Sequence, residues 1–151
     1  MALHRHVTPD QIALGVGIGL FCGLVLPPGV HIFSAIAIAQ LARASVPAAM
    51  LATLVSNPLT LPFLYPLAAL VGSWFTGIPL RTEAPATPES LWQLFAEPAL
   101  HGRTLLLICL GNLVIGSVVS VIGYHAAKLW AVRRHARRIA KAHKKAAARN
   151  K

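Results

Sequence analysis

His31, Gln40, Ser56, Asn57, Thr60 and Asn112 are polar side chains set within long apolar runs. Such groups are costly inside apolar helices. Where they occur they either bond backbone that a helix has released or line a path for a substrate or a proton. Catalysis needs more. Ser34, Ser56 and Thr60 carry hydroxyls, but no carboxylate lies between Leu14 and Leu80 to orient a base or to pair with His31. A triad cannot be drawn from these residues. The seven histidines are scattered, and "RRHARR" and "KAHKK" set two of them among cations, which disfavours metal binding. Cys22 and Cys109 lie in apolar runs without metal spacing and are expected as small buried hydrophobes, not as a disulfide. The expectation is a chain that is not an enzyme and carries no cofactor or metal. Its polar cluster serves either permeation or the backbone's own hydrogen bonding.

The elements that must hold these groups are apolar. Hydrophobic residues make up 56% of the 151 and charged residues 12%, against about a quarter charged in a soluble domain. Arg43 is the sole formal charge between Leu14 and Leu80. An ordinary soluble globule is excluded, because one small core could not bury so continuous an apolar surface. "MALHRH" before an apolar run superficially resembles a signal peptide. That run meets "PPGVH" in place of a small-residue cleavage site, so the segment is expected to stay in the mature protein. Five regions separate by composition: a tip, 1–9; a broken-helix membrane unit, 10–80; a Pro-rich polar insert, 81–102; a spanning helix, 103–127; and a basic tail, 128–151. "TLLLICLGNLVIGSVVSVIGYHAA" spans residues 104–127 without a charge or a proline. At about 1.5 Å per residue it crosses a hydrocarbon core of about 30 Å. Tyr124, Lys128 and Trp130 suit the interface.

The 10–80 region is broken twice, at Pro27-Pro28-Gly29 and between Asn57 and Pro66. Pro58, Pro62 and Pro66 remove backbone donors and push the preceding residues away from helix. Asn57 can bond local backbone in a turn, and Ser56 and Thr60 can serve the freed carbonyls. Two readings stand. Either the breaks lie at membrane depth, as in re-entrant hairpins and discontinuous helices, or they are surface loops between short tilted helices. The fold class expected is an all-α polytopic membrane bundle with Pro/Gly-broken helices.

Gly15, Gly19 and Gly23 form overlapping GxxxG steps, with Gly17 added, and Gly116 with Ser120 repeats the small-xxx-small spacing. Small residues let helices approach closely in lipid, within one chain or between copies. The tail carries ten Lys and Arg and no acid; Arg133, Arg134, Arg137, Arg138, Lys141, Lys144 and Lys145 are its candidates for contact with anionic lipid. The competing and simpler expectation for the tail is a topogenic cytoplasmic flank. Nucleic acid is disfavoured, since no stacking aromatics are interleaved. The insert carries Glu83, Glu89 and Glu97 and belongs outside, with both termini cytoplasmic. Within it "TPESLWQLF" predicts a short helix, with Thr87 as its cap and Pro88 in its first turn. A homo-oligomer or a membrane partner protein is compatible with this pattern.

The stretch from Pro9 to Gly77 resembles a bacterial membrane family catalogued as domain of unknown function two-zero-six-two. The Asn-Pro-x-Thr step of Asn57, Pro58 and Thr60, with Tyr65 beyond it, carries the resemblance. The Gly-rich entry at Gly15, Gly19 and Phe21 supports it. Members often show Pro-x-x-x-Gln at the first break, where this chain has Pro27 and His31. They often show Arg-x-Asn before the second unit, where it has Arg43 and Ser45. The resemblance implies an integral membrane protein of bacteria and brings no activity with it. The function expected is of transporter, channel or lipid-handling type using a polar break in the inner membrane. The alternative is a structural or accessory membrane protein.

Overall fold

The structure is a computed structural model that describes the backbone of residues 7–27, 29–57, 59–80 and 98–149, with side chains over the same residues except 98–101 and 138–149. The described residues form helices and no strand: α1 (Pro9–Val25), α2 (Val30–Leu41), α3 (Val46–Thr53), α4 (Leu61–Thr76) and α5 (Pro98–Arg149).

Local chemistry sets each boundary. The α1 start is a capping box, with the Gln11 N–H donating to Thr8 Oγ1 at 3.3 Å and the Thr8 N–H to Gln11 Oε1 at 2.9 Å. Leu26 turns extended ahead of Pro27 and ends the helix. After Gly29, at φ 95°, α2 begins. It closes in a Schellman turn: the Ala44 N–H donates to the Ala39 carbonyl at 2.8 Å and the Arg43 N–H to the Gln40 carbonyl at 3.1 Å. Arg43 occupies the left-handed position, φ 53°. The second break is shorter than the prolines suggest. Pro62 falls in the first turn of α4, where a missing N–H has no helical partner to lose, and Pro66 lies inside the helix. Thus α3 ends at Thr53 and α4 begins at Leu61.

Gly77, at φ 68°, ends α4, and its N–H donates to the Ser73 carbonyl at 2.9 Å. A Cβ there would meet no atom within 4 Å, so Gly77→Ala tests the backbone alone. It is expected to cost about 1 kcal/mol, read from the thermal unfolding midpoint; an unchanged midpoint would contradict the left-handed cap.

The helices assemble along α5. Asp10 pairs with Lys128 at 2.9 Å, and Ser120 Oγ donates to the Gly17 carbonyl at 2.8 Å. Gly116 abuts Leu24 and Val25, so α1 runs antiparallel to α5. So does α4, with Gly72 against Leu107 and Gly111 against Ala68. α3 runs parallel to α1: Gly15 faces Ser45, Gly19 faces Ala49 and Gly23 faces Thr53. α2 returns beside α1, bringing Ser45 close enough for its N–H to reach the Gln11 carbonyl at 2.9 Å. Two cores result, one of the small residues Cys22, Ala35, Ala39 and Ala49, the other of Leu61, Tyr65, Ala68, Ala69 and Ile108.

Among the described residues one helical stretch, 102–137, is long and apolar enough to cross a membrane; α1, α2 and α4 are apolar but shorter. The basic segment from Lys128 continues α5 without a boundary as far as Arg149. Residues 81–97, with the expected helix at "TPESLWQLF", lie outside the described residues.

Candidate functional site

The break between α3 and α4 contains the densest hydrogen bonding among the described residues. Asn57 Oδ1 accepts the N–H groups of Leu59 at 2.9 Å and Thr60 at 3.1 Å, while its Nδ2 donates to the Leu54 carbonyl at 3.1 Å. Thr60 Oγ1 donates to the Val55 carbonyl at 2.7 Å and accepts the Asn57 N–H at 3.0 Å. The Asn57 carbonyl takes the N–H groups of Thr60 and Leu61 at 2.9 and 3.1 Å. Both side chains thus bond the backbone that the break releases, as an Asx-type turn does. Pro58 itself lies outside the described residues.

The level of this break follows from its neighbours. Gly23, near the end of α1, faces Thr53 at the end of α3. Gly116 meets Leu24 and Val25, while Ile115 packs on the cluster that contains Leu61, the first residue of α4. The end of α1, the end of α3 and the start of α4 therefore share one level, at residues 115–116 of α5. The midpoint of the apolar run 104–127 falls there. The first break, 26–29, follows directly from the end of α1 and stands at the same level.

The other candidates separate. His31 is buried, and its Nδ1 lies 3.4 Å from the Pro27 carbonyl. A carbonyl only accepts, so the proton is assigned to Nδ1 in this contact. Tyr65 is buried in α4 against the α5 cluster, and Asn112 is buried on α5. Ser56 is half-buried within the break, and Gln40 is exposed. An interhelical bond is made instead by Gln11, whose Nε2 donates to the Arg43 carbonyl at 3.2 Å. Gln11 is also the capping-box residue of α1, and its second role depends on where α2 ends.

The glycines pack within the chain: Gly15, Gly19 and Gly23 against α3, Gly116 against α1. Among the described residues the tightest glycine crossings are at Gly72 and Gly111, between α4 and α5. Their signal in sequence is the small-xxx-small step from Ala68 to Gly72.

At the basic end Arg133, Arg134 and Arg137 are exposed, and the Arg134 guanidinium stands 4.9 Å from the Trp130 ring centroid. The side chains of Arg138, Lys141, Lys144 and Lys145 lie outside the described ones. The hydrogen bond and charge of Asp10 raise the Lys128 pKa above the usual lysine value. Among the described residues no group of three His, Cys, Asp or Glu is placed to hold a metal. A groove of about 450 Å³ opens between α1, α2 and α5, walled by Leu14, Phe21, Ile38, Val121 and Tyr124.

A family model described as "Uncharacterized protein conserved in bacteria (DUF2062)" matches residues 2–140. No curated protein and no solved structure matches the chain.

Proposed function

The chain belongs to the DUF2062 family of bacterial proteins, and on that premise we propose that it is a small multi-pass protein of the cytoplasmic membrane that handles lipid at a polar break held at mid-depth. In this reading α1 enters from the cytoplasmic side and α2 returns. α3 and α4 cross together as one interrupted path, and α5 crosses back into the basic tail. One observation carries the proposal: both breaks share the level of residues 115–116, the middle of α5's apolar run. Phe33, Phe63 and Trp74, at 74%, 76% and 80% exposure, support it, since lipid accepts side chains that water would not. Within the transporter, channel and lipid-handling class, the lipid form is favoured because the open groove is apolar and the break's polar atoms are occupied.

The same occupancy favours a second, accessory reading, in which the break only satisfies itself and the chain serves a partner protein. Proteoliposomes containing a fluorescent phospholipid separate the two. Lipid handling gives protein-dependent movement of the probe between leaflets; an accessory protein gives none.

Topology is tested independently. In a background lacking Cys22 and Cys109, a cysteine at Glu89 is expected to react with an impermeant maleimide from outside intact cells, and one at Ala146 only after lysis. Labelling of Ala146→Cys in intact cells would reverse the orientation.

A further inference from the structure

Resting on this membrane placement, we propose that the groove between α1, α2 and α5 holds an acyl chain of an anionic phospholipid, whose phosphate is met by Arg43 and Lys128. The walls are apolar, from Leu14 and Phe21 on α1, Ile38 on α2 and Val121 on α5. Toward the tail the groove ends at Tyr124 and His125. Lys128 follows one turn on, its Nζ 5.9 Å from the Tyr124 ring centroid. Asp10 and Gln11 adjoin on α1. Asp10 holds Lys128 at 2.9 Å, and Gln11 holds the Arg43 carbonyl at 3.2 Å. Lys128 and the Arg43 backbone therefore adjoin neighbouring residues at the start of α1, toward the same end of the groove, and Asp10 offsets only Lys128.

Arg43 adds a second argument. It is exposed at φ 53°, in a Schellman turn where glycine would sit without strain. Among the described residues the single acid, Asp10, is committed to Lys128, which leaves the guanidinium free of a carboxylate partner. An exposed guanidinium on a turn next to the start of α1 is within a side chain's reach of a lipid phosphate whose chain lies in the groove.

The test is native mass spectrometry of the full chain extracted from vesicles of equal phosphatidylglycerol and phosphatidylcholine. Wild type is expected to retain a single phosphatidylglycerol. Arg43→Gly should raise the thermal midpoint by relieving strain, yet lower that retention about fivefold, as loss of one charge near a lipid surface implies. Val121→Trp fills the groove from a position 58% exposed and should lower retention while leaving the tail's cations in place. Retention unchanged in either variant, equal retention of the two lipids, or displacement by glycerol phosphate alone would overturn the proposal. Extraction of the wild-type chain from membranes by alkaline carbonate would instead overturn the membrane placement itself.

Discussion

Gly111→Ala is expected to pull α4 off α5 and cost about 3 kcal/mol or more, at the upper end of overpacking penalties. A Cβ at Gly111 would run into the Ala68 carbonyl oxygen, with the Ala68 carbonyl carbon and Cα close behind. Gly72 meets the Leu107 backbone in the same way. Backbone cannot rotate aside, so relief requires the helices to separate. On the proposed membrane placement, the contacts that small residues provide are the main attraction between helices, and separation forfeits them. Gly123→Ala is the internal control. Its Cβ would meet the Leu20 Cδ1 methyl, the far end of a flexible side chain, so its cost should stay below about 1 kcal/mol. Denaturation of both variants in mixed micelles checks the contrast; equal losses would mean that the α4–α5 crossing is looser than the structure has it.

The second large effect lies in the break. Asn57→Ala deprives the Leu54 carbonyl and the Leu59 N–H of their partners. Thr60→Val deprives the Val55 carbonyl and the Asn57 N–H. On the proposed placement at mid-depth, each of these groups left unpaired in lipid costs about 1–3 kcal/mol, whereas water would repair the same loss cheaply. Both variants should therefore destabilise the protein by about 2–4 kcal/mol in a bilayer, and Thr60→Ser, which keeps the hydroxyl, should restore most of it. A Thr60→Val protein as stable as wild type would mean that water reaches the break.

Much of this arrangement was legible in sequence because it depends on local chemistry. Pro27 ends α1 through the residue before it, and Asn57 with Thr60 announces a turn that satisfies itself. The Gly15-Gly19-Gly23 stripe marks one close helix contact. The rest required knowing which surfaces meet. Gly17 lies about 100° or more around α1 from its neighbours in that stripe and faces Ser120 and Tyr124 on α5 instead. Gly72 and Gly111 are far apart in the chain, and nothing local says that they share a crossing. Gln40 reads in sequence as part of the polar cluster, but α2 turns it outward, while Gln11 reaches the turn at Arg43. The composition shift at Lys128 suggested a separate tail, yet Ala, Lys and Arg are strong helix formers, so α5 continues through it.

A spin label at Leu59 measures the depth of the break. Leu59 is 80% exposed at the tip of the break, and its side chain takes no part in the hydrogen bonding there. With Cys22 and Cys109 replaced and the protein in liposomes, a label at this position should relax strongly with dissolved oxygen and weakly with a water-soluble nickel complex, as for a site near the bilayer centre. Strong nickel and weak oxygen relaxation would put the break in water and contradict the account.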